Sequence, residues 1–421
     1  MIGLLRDGDY RRLWGAQTIS QFGSQVSQLA LPLIAVLGLK ASTFSVAVLW
    51  MFELLPFLLF ALPAGVWVDR LARRPILIAA DTGRALALGS IPVVALFSEV
   101  TIWQLYAVAF TTGVLAVFFD VAYQSYLPSL VEPQDLVEGN AKLEISRSAA
   151  QVGGPGIGGL LIEAFTAPYA VAVDAVSFLW SAALLGRIAK REPARERAPH
   201  RSMRREIAEG LRYLLSDPRW RAITTNVFVF NLGTGITGPL FLVWGVRHLG
   251  FSPGELGLVF SLGNVGWLLG ALVARRATRR FGAGRMLVAG SAIAGFPLFL
   301  WPLAPQEYAV AVTSLAWALT AFGIVLFNVP GISLYQTLVP ARILGRMNAS
   351  RRWIVWGVTP LGNVLGGALA GVAGLKPAMF AGCAISSVAF LFLLVKPVRS
   401  LATVDVDARA AGDGGVAAPA Q

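Results

Sequence analysis

The chain reads as an all-α membrane protein, with twelve transmembrane helices arranged as two pseudo-symmetric six-helix bundles. Three observations predict this. Apolar runs of about 20 residues, each long enough to cross a hydrocarbon core of about 30 Å as a helix, recur along nearly all of its 421 residues. Basic residues gather in alternate loops between those runs. The second half of the chain also repeats landmarks of the first at one fixed offset, with Asn140-Ala141 returning as Asn348-Ala349, and Gly154, Gly158 and Gly159 as Gly362, Gly366 and Gly367.

Composition excludes an ordinary soluble domain: 56% of residues are hydrophobic and 14% charged, against roughly a quarter charged in soluble proteins. A net charge of +12 suggests nucleic acid, but its placement argues against such a partner. Only Lys40, Arg247 and Lys376 fall in the loops of one side, and Arg84 falls within a span; the other basic residues lie in the opposite loops or at the termini. By the positive-inside rule the crowded side is the cytoplasm, so the protein is expected in the plasma membrane (a bacterial inner membrane), multi-pass and with both termini cytoplasmic. Cys383 is the sole cysteine, and His200 and His248 are far apart. No disulfide framework, metal site or cofactor is expected, and no His-rich or paired-carboxylate group suggests an enzyme.

The first span, 13–38, follows a polar lead holding Arg6, Arg11 and Arg12, and is too long for the core of a cleaved signal. Further spans are drawn at 44–68, 75–97, 101–125, 143–165 and 168–188, completing a first bundle over 1–188. A basic connection over 189–221 follows. Within it Ile207, Leu211, Leu214 and Leu215 are spaced as one face of a short amphipathic helix, expected on the membrane surface. The second bundle, 222–396, holds spans at 222–246, 254–274, 285–304, 308–330, 353–375 and 377–396. The remainder, 397–421, is rich in Ala, Gly and Asp without apolar period, and is expected to be a disordered cytoplasmic tail.

Between spans 2 and 3 stands Gly65-Val66-Trp67-Val68-Asp69-Arg70-Leu71-Ala72-Arg73-Arg74. Charges packed between two apolar runs must lie at the water boundary. Arg70, Arg73 and Arg74 suit the negative dipole end of span 2, whereas Asp69 suits the N-terminus of another helix; span 11 begins on the same side with Arg351 and Arg352. This spacing resembles the loop between the second and third helices of major facilitator superfamily transporters, and the resemblance extends over essentially the whole chain. In the second half Ala274 replaces the acid, before Arg275, while Glu144 stands at the repeat position of Arg352. Two cytoplasmic latches of opposite polarity are therefore expected, Asp69 with Arg352 and Glu144 with Arg275, closed when the carrier faces outward.

Span 5 carries Ala150-Gln151-Val152-Gly153-Gly154-Pro155-Gly156-Ile157-Gly158-Gly159. Pro155 removes a helix hydrogen bond, and Gly154 and Gly158 form a flat strip against which another helix can pack, with Gly263, Gly266 and Gly270 of span 8 as the expected mate. The stretch resembles the Gly-Pro seam of exporting facilitators, with Ala150 in place of the first Gly. The chance Gly-x-Gly-x-x-Gly match at Gly154, Gly156 and Gly159 lies inside an apolar helix and does not describe a dinucleotide site.

Charged groups inside spans are costly and mark function by default. Asp81 and Arg84, three apart, are expected to neutralise each other on one helix face. Asp120 and Asp174 are expected nearer span ends, within reach of water. Glu53 is the lone acid of its span, and an acid in an apolar cavity takes up and releases protons near neutral pH. It is the first candidate for proton coupling, with Asp120 second; a satisfied contact to a neighbouring helix is the alternative. Gln17, Gln21, Gln25 and Gln28 form an amide stripe on span 1. Asn226, Asn231 and Thr234 give span 7 a milder version. With Tyr123, Asn328 and several aromatic residues these suit a wide amphipathic cavity, or equally hydrogen bonding between helices.

The Leu127–Val131 stretch, Asn140-Ala141 and the Gly-Pro seam are most similar to the branch that holds the enterobactin exporter and macrolide efflux carriers. That resemblance implies a secondary active transporter, acting as a monomer among membrane lipids, that exports a drug, antibiotic or siderophore-like molecule by proton antiport. Thr111, Thr112 and Gly113 stand where many drug antiporters carry an Arg. Proton-coupled nutrient import is the competing expectation, and a non-transporting receptor the more distant one.

Overall fold

A computed structural model describes residues 3–68, 70–190, 211–339, 341–399 and 401, with the side chains at 62, 66, 341–346, 348–353, 355 and 356 outside that description. Among the described residues the regular structure is entirely helical, in twelve long rods. The first six are α1 (Gly8–Leu33, continued by a π turn at Ile34–Gly38), α2 (Thr43–Val68), α3 (Arg73–Phe97), α4 (Ile102–Leu130), α5 (Leu136–Phe165) and α6 (Ala167–Gly186). After the connection come α7 (Pro218–Arg247), α8 (Pro253–Phe281), α9 (Ala283–Gly295, prolonged to Leu303), α10 (Ala309–Leu338), α11 (Ala341–Ala373) and α12 (Leu375–Val388, prolonged to Leu394).

Local chemistry starts and stops these rods. Asp7 caps α1 by accepting from the amides of Asp9 (2.7 Å) and Tyr10 (3.0 Å). Ser252 and Glu255 form a capping box on α8, with Pro253 at its first position. Asp217 caps α7, and the hydrogen bond from Arg219 holds its carboxyl below the usual carboxylate range. The turns repeat as the sequence does. Thr166 (φ 64°) ends α5 where Gly374 (φ 91°) ends α11, and Lys40 (φ 46°) corresponds closely to Gly250 (φ 74°). The left-handed corner is kept even where a β-branched residue must adopt it.

Among the described residues, nine helices are long and apolar enough to cross a bilayer, with a shorter apolar stretch at Gly357–Ala373. The long helices α1 and α5 fall outside that group because α1 carries the amide stripe and α5 opens with Glu138, Lys142, Glu144 and Arg147. Several rods outrun their apolar spans at the arginine-rich end: α5 starts at Leu136, α11 at Ala341, and α8 and α10 run to Phe281 and Leu338. Helical hydrogen bonding does not stop where the bilayer does, so polar turns continue the rods into water. Large apolar side chains such as Leu86, Phe97, Trp103 and Val372 cover the outside, a surface suited to lipid.

In the connection, 211–216 is helical, with Leu214 fully buried with Trp220 and Ile223 and Leu215 exposed; Ile207 lies outside the described residues. One expectation is corrected by packing. The tail is ordered through a short helix at Lys396–Arg399. Val398 is buried, and the Leu401 carbonyl accepts from the Gly284 amide at 3.0 Å; the tail beyond Leu401 lies outside the described residues.

Helix pairing follows the sequence repeat. α1 packs on α5 and α6, α3 on α4 and α6, and α2 on α4; six rods on, α7 packs on α11 and α12, α9 on α10 and α12, and α8 on α10. Between the two sets, α5 meets α8 and α2 meets α11, and these two contacts map onto each other under the same shift. At the arginine-poor end the buried apolar residues form one continuous core drawn from both sets, from Val26 and Ile162 to Ile236 and Cys383. Toward the arginine-rich end the core divides into one cluster between Leu4 and Ile188 and another between Leu214 and Val398. Among the described residues, the core is joined at one end and divided at the other.

Candidate functional site

The joined end is built on close backbone approach. Gly154 and Gly158 face α1, where a Cβ at 154 would lie 2.5 Å from Gln25 Cγ and one at 158 would lie 3.1 Å from Val26 Cα. Gly159 faces α8, and a Cβ there would lie 3.1 Å from Gly257 Cα and collide with the Pro253 carbonyl. The repeat holds contact by contact: Gly362 and Gly366 face α7 at Gly235 and Ile236, and Gly367 faces α2 at Phe44 and Ala47. The expected mate of the seam is corrected. Gly263, Gly266 and Gly270 pack under Trp317, Ala318 and Val325 of α10, and the small α8 residues in close backbone contact with Gly159 of α5 are Pro253, Gly254 and Gly257. A 3.6-residue period gives α8 two small-residue faces, and the sequence does not say which neighbour takes which.

Polar groups reinforce this contact. The Gly156 amide donates to Ser261 Oγ (2.8 Å), Asn264 Nδ2 donates to the Gln151 carbonyl (2.6 Å), and Trp317 Nε1 donates to Asn264 Oδ1 (2.9 Å). Near the end of the molecule the Glu163 carboxylate accepts from the Gly254 amide (3.1 Å), at the positive end of α8. Arg247 donates to the Ala41 carbonyl at 2.5 Å, tying α7 to the turn after α1. Sequence reasoning missed Ser261, Asn264 and Glu163. The available signal was Pro155, whose missing amide leaves the Gln151 carbonyl in need of a donor.

At the split end, a Cβ on Gly65 would meet nothing within 4 Å. Asp69 and the side chains of Arg351 and Arg352 lie outside the described residues, so the first expected latch lies outside them too. The second is not formed here: Glu144 pairs with Arg147 on its own helix (3.6 Å), and Arg275 is exposed. Arg74 also serves a helix other than α2. It donates to the Leu185 carbonyl (3.0 Å) and to that of Gly186, the last turn of α6. Being in the first turn of α3, its charge opposes that helix's own dipole, and the neighbouring C-terminus offers free carbonyls. Arg73 is buried and Arg70 exposed.

Of the charges within spans, Asp81 and Arg84 do pair, both buried. Ser181 of α6 donates to Asp81 (2.5 Å), and the Arg84 guanidinium lies between the rings of Phe119 (4.4 Å) and Phe178 (4.2 Å). Asp174 is corrected: it is buried against Gly23 of α1, accepts from Ser177 (3.0 Å), and has no access to water. Asp120 is exposed on α4. Glu53 is half-buried, with its backbone against Gly113 of α4, and its carboxylate makes no hydrogen bond or ion pair to any described residue.

The amide stripe is divided by packing. Gln21 donates to Gln17 (3.3 Å), Gln25 covers Gly154, and Gln28 is exposed. Asn226 is buried and donates to Ser291 of α9 (2.7 Å). Asn231 and Asn328 are half-buried, as is Tyr123, stacked on Phe119 at 6.2 Å.

The transmembrane secretion effector family model matches residues 2–416. Among curated proteins, the chain is 28% identical over 398 residues to the uncharacterised MFS-type transporter YfiS of Bacillus subtilis, covering 92% of this chain and 93% of that one. It is 29% identical over 380 residues to the multidrug efflux pump Tap of Mycolicibacterium fortuitum (85% and 88%). It is 23% identical over 399 residues to macrolide efflux protein A of Streptococcus pyogenes (92% and 96%). Among solved structures, a bacterial homologue of the iron transporter ferroportin in its inward-facing state superposes with a TM-score of 0.70 at 18% identity, covering 93% of this chain and 98% of that one.

Proposed function

The chain belongs to the transmembrane secretion effector family of major facilitator transporters, and on that basis we propose that it exports a small organic molecule by alternating access, driven by inward flow of protons. The observation that carries this reading is the divided core. Two six-helix sets share one buried core at the arginine-poor end and separate at the other, the arrangement needed for rocking about a central chamber. With the arginine-rich end in the cytoplasm, the pose described is open to the cell interior. In the opposite pose the α5–α8 and α2–α11 contacts part, and Glu144 and Arg275 come together, as do Asp69 and the start of α11.

Glu53 is the proton carrier in this reading, since its carboxylate is half-buried and free of a described partner. Gln21, Gln28, Tyr123, Asn231 and Asn328 present polar groups to a bulky, partly apolar solute. Moving one charge through 100 mV yields about 2.3 kcal/mol, so one proton sustains roughly a fiftyfold gradient of a neutral solute. Inside-out vesicles test this with a panel of macrolides and lipophilic dyes. Accumulation should appear when the vesicle interior is acidified and vanish with an uncoupler, and Glu53→Gln should lower it at least tenfold at equal protein in the membrane. Uptake that needs acid outside the vesicles would point to import, and full activity of Glu53→Gln would remove Glu53 from the role.

A further inference from the structure

Proline inside a helix leaves two backbone needs. It has no amide to give the carbonyl four residues earlier, and its ring pushes that carbonyl outward. In α5 the residue is Pro155 and the carbonyl is that of Gln151. Asn264 of α8 supplies the missing donor at 2.6 Å, and the amide of Gly156, next to the proline, donates to Ser261 Oγ at 2.8 Å. Ser261 and Asn264 are three apart and so share one face of α8. Trp317 spends its indole N–H on Asn264 Oδ1 (2.9 Å), which fixes the amide with its NH2 toward α5.

We propose that Asn264 and Ser261 are positioning residues for alternation: they clasp the backbone that Pro155 disturbs and so hold the arginine-poor end shut. The clasp reads main chain and not side chain, so it needs only the kink and the small residues that let α8 approach. Parting α5 from α8 breaks both bonds at once and leaves the Gln151 carbonyl without a donor until water reaches it. The seam is thereby a two-position contact. Shut, the Gln151 carbonyl and the Gly156 amide are both paired across the seam; open, the kinked turn must be hydrated. Trp317 belongs to the same device, because an Asn264 amide free to rotate would lose its preference for the Gln151 oxygen.

The proposal rests on the alternating-access reading, and its test does not require transport. Spin labels at Glu99→Cys and Glu307→Cys, exposed in the α3–α4 and α9–α10 turns at the arginine-poor end, are introduced in a Cys383→Ala background. Distances are measured by pulsed electron resonance in lipid nanodiscs. Asn264→Leu should raise the ratio of long-distance to short-distance populations about tenfold, because an unmet carbonyl in a half-buried seam penalises the shut state. Ser261→Ala, which removes a single atom, should shift it the same way by about threefold, and serves if the Leu variant does not fold. In a Pro155→Ala background residue 155 regains an amide for Gln151 within its own helix, and Asn264→Leu should then change the ratio less than twofold. An unchanged distance distribution in Asn264→Leu and Ser261→Ala, or an equal effect of Asn264→Leu with and without Pro155, overturns the clasp. Populations that move in a chain that carries no solute leave the clasp standing and remove the transport reading; flux without moving populations does the reverse.

Discussion

Arg84 shows what one residue must do in an apolar interior. Its guanidinium satisfies Asp81, stacks between Phe119 and Phe178, and lets Ser181 bind the second carboxylate oxygen. Removing one partner of a buried ion pair strands the other, at a cost of about 3–5 kcal/mol. Arg84→Met should therefore lower the thermal midpoint in detergent sharply, and Asp81→Asn combined with it should recover most of the loss; equal destabilisation by the pair and the single change would contradict this account. The pairing was legible from the three-residue spacing, while Ser181 and the two rings were not, since they come from other helices. Asp174 carries the same lesson. Its place nearer the end of its span looked accessible from sequence, but Gly23 of α1 lets that helix approach closely enough to bury it.

Helices in this chain are finished by their neighbours. Arg74 begins α3 yet closes α6, and Lys190, just beyond α6, donates to the last carbonyl of α4, that of Leu130, at 2.9 Å. Arg74→Ala should fray the end of α6, costing about 1.5–3 kcal/mol for charged hydrogen bonds to carbonyls. Hydrogen exchange should rise at 183–188 while α3 stays protected, and faster exchange in α3 alone would mean that Arg74 serves its own helix. Element existence was readable from the apolar runs, and the retained span over 13–38 corresponds to α1 with its π turn. Element ends at the arginine-rich side were not, because the signal used was apolarity and the rods there continue in polar sequence. The seam on α5 was found by its Gly and Pro, but its partner face was assigned to the wrong side of α8.

At the scale of the molecule, a core joined at one end and split at the other leaves Glu144 and Arg275 apart, each on the rim of a different half. In the proposed cycle they meet when the arginine-rich end closes. Glu144→Arg should slow transport several-fold, and adding Arg275→Glu should restore it toward the starting rate; absence of rescue would detach this pair from the switch. The size of the effect should fall in high salt, since both side chains are solvent-exposed when apart.

The sequence alone determined that this chain is helical and lies in a membrane, because backbone polar groups in hydrocarbon admit few solutions and runs of about 20 apolar residues select one of them. It also determined the internal repeat, since close helix approach demands small residues at fixed places and both halves keep them. Only the tertiary structure decided which glycine face meets which helix, which of the described acids are buried or unpartnered, and at which end the described core is continuous. Those depend on side chains that lie far apart along the chain and touch only after packing, where one helix has several faces of similar composition and the neighbours choose among them.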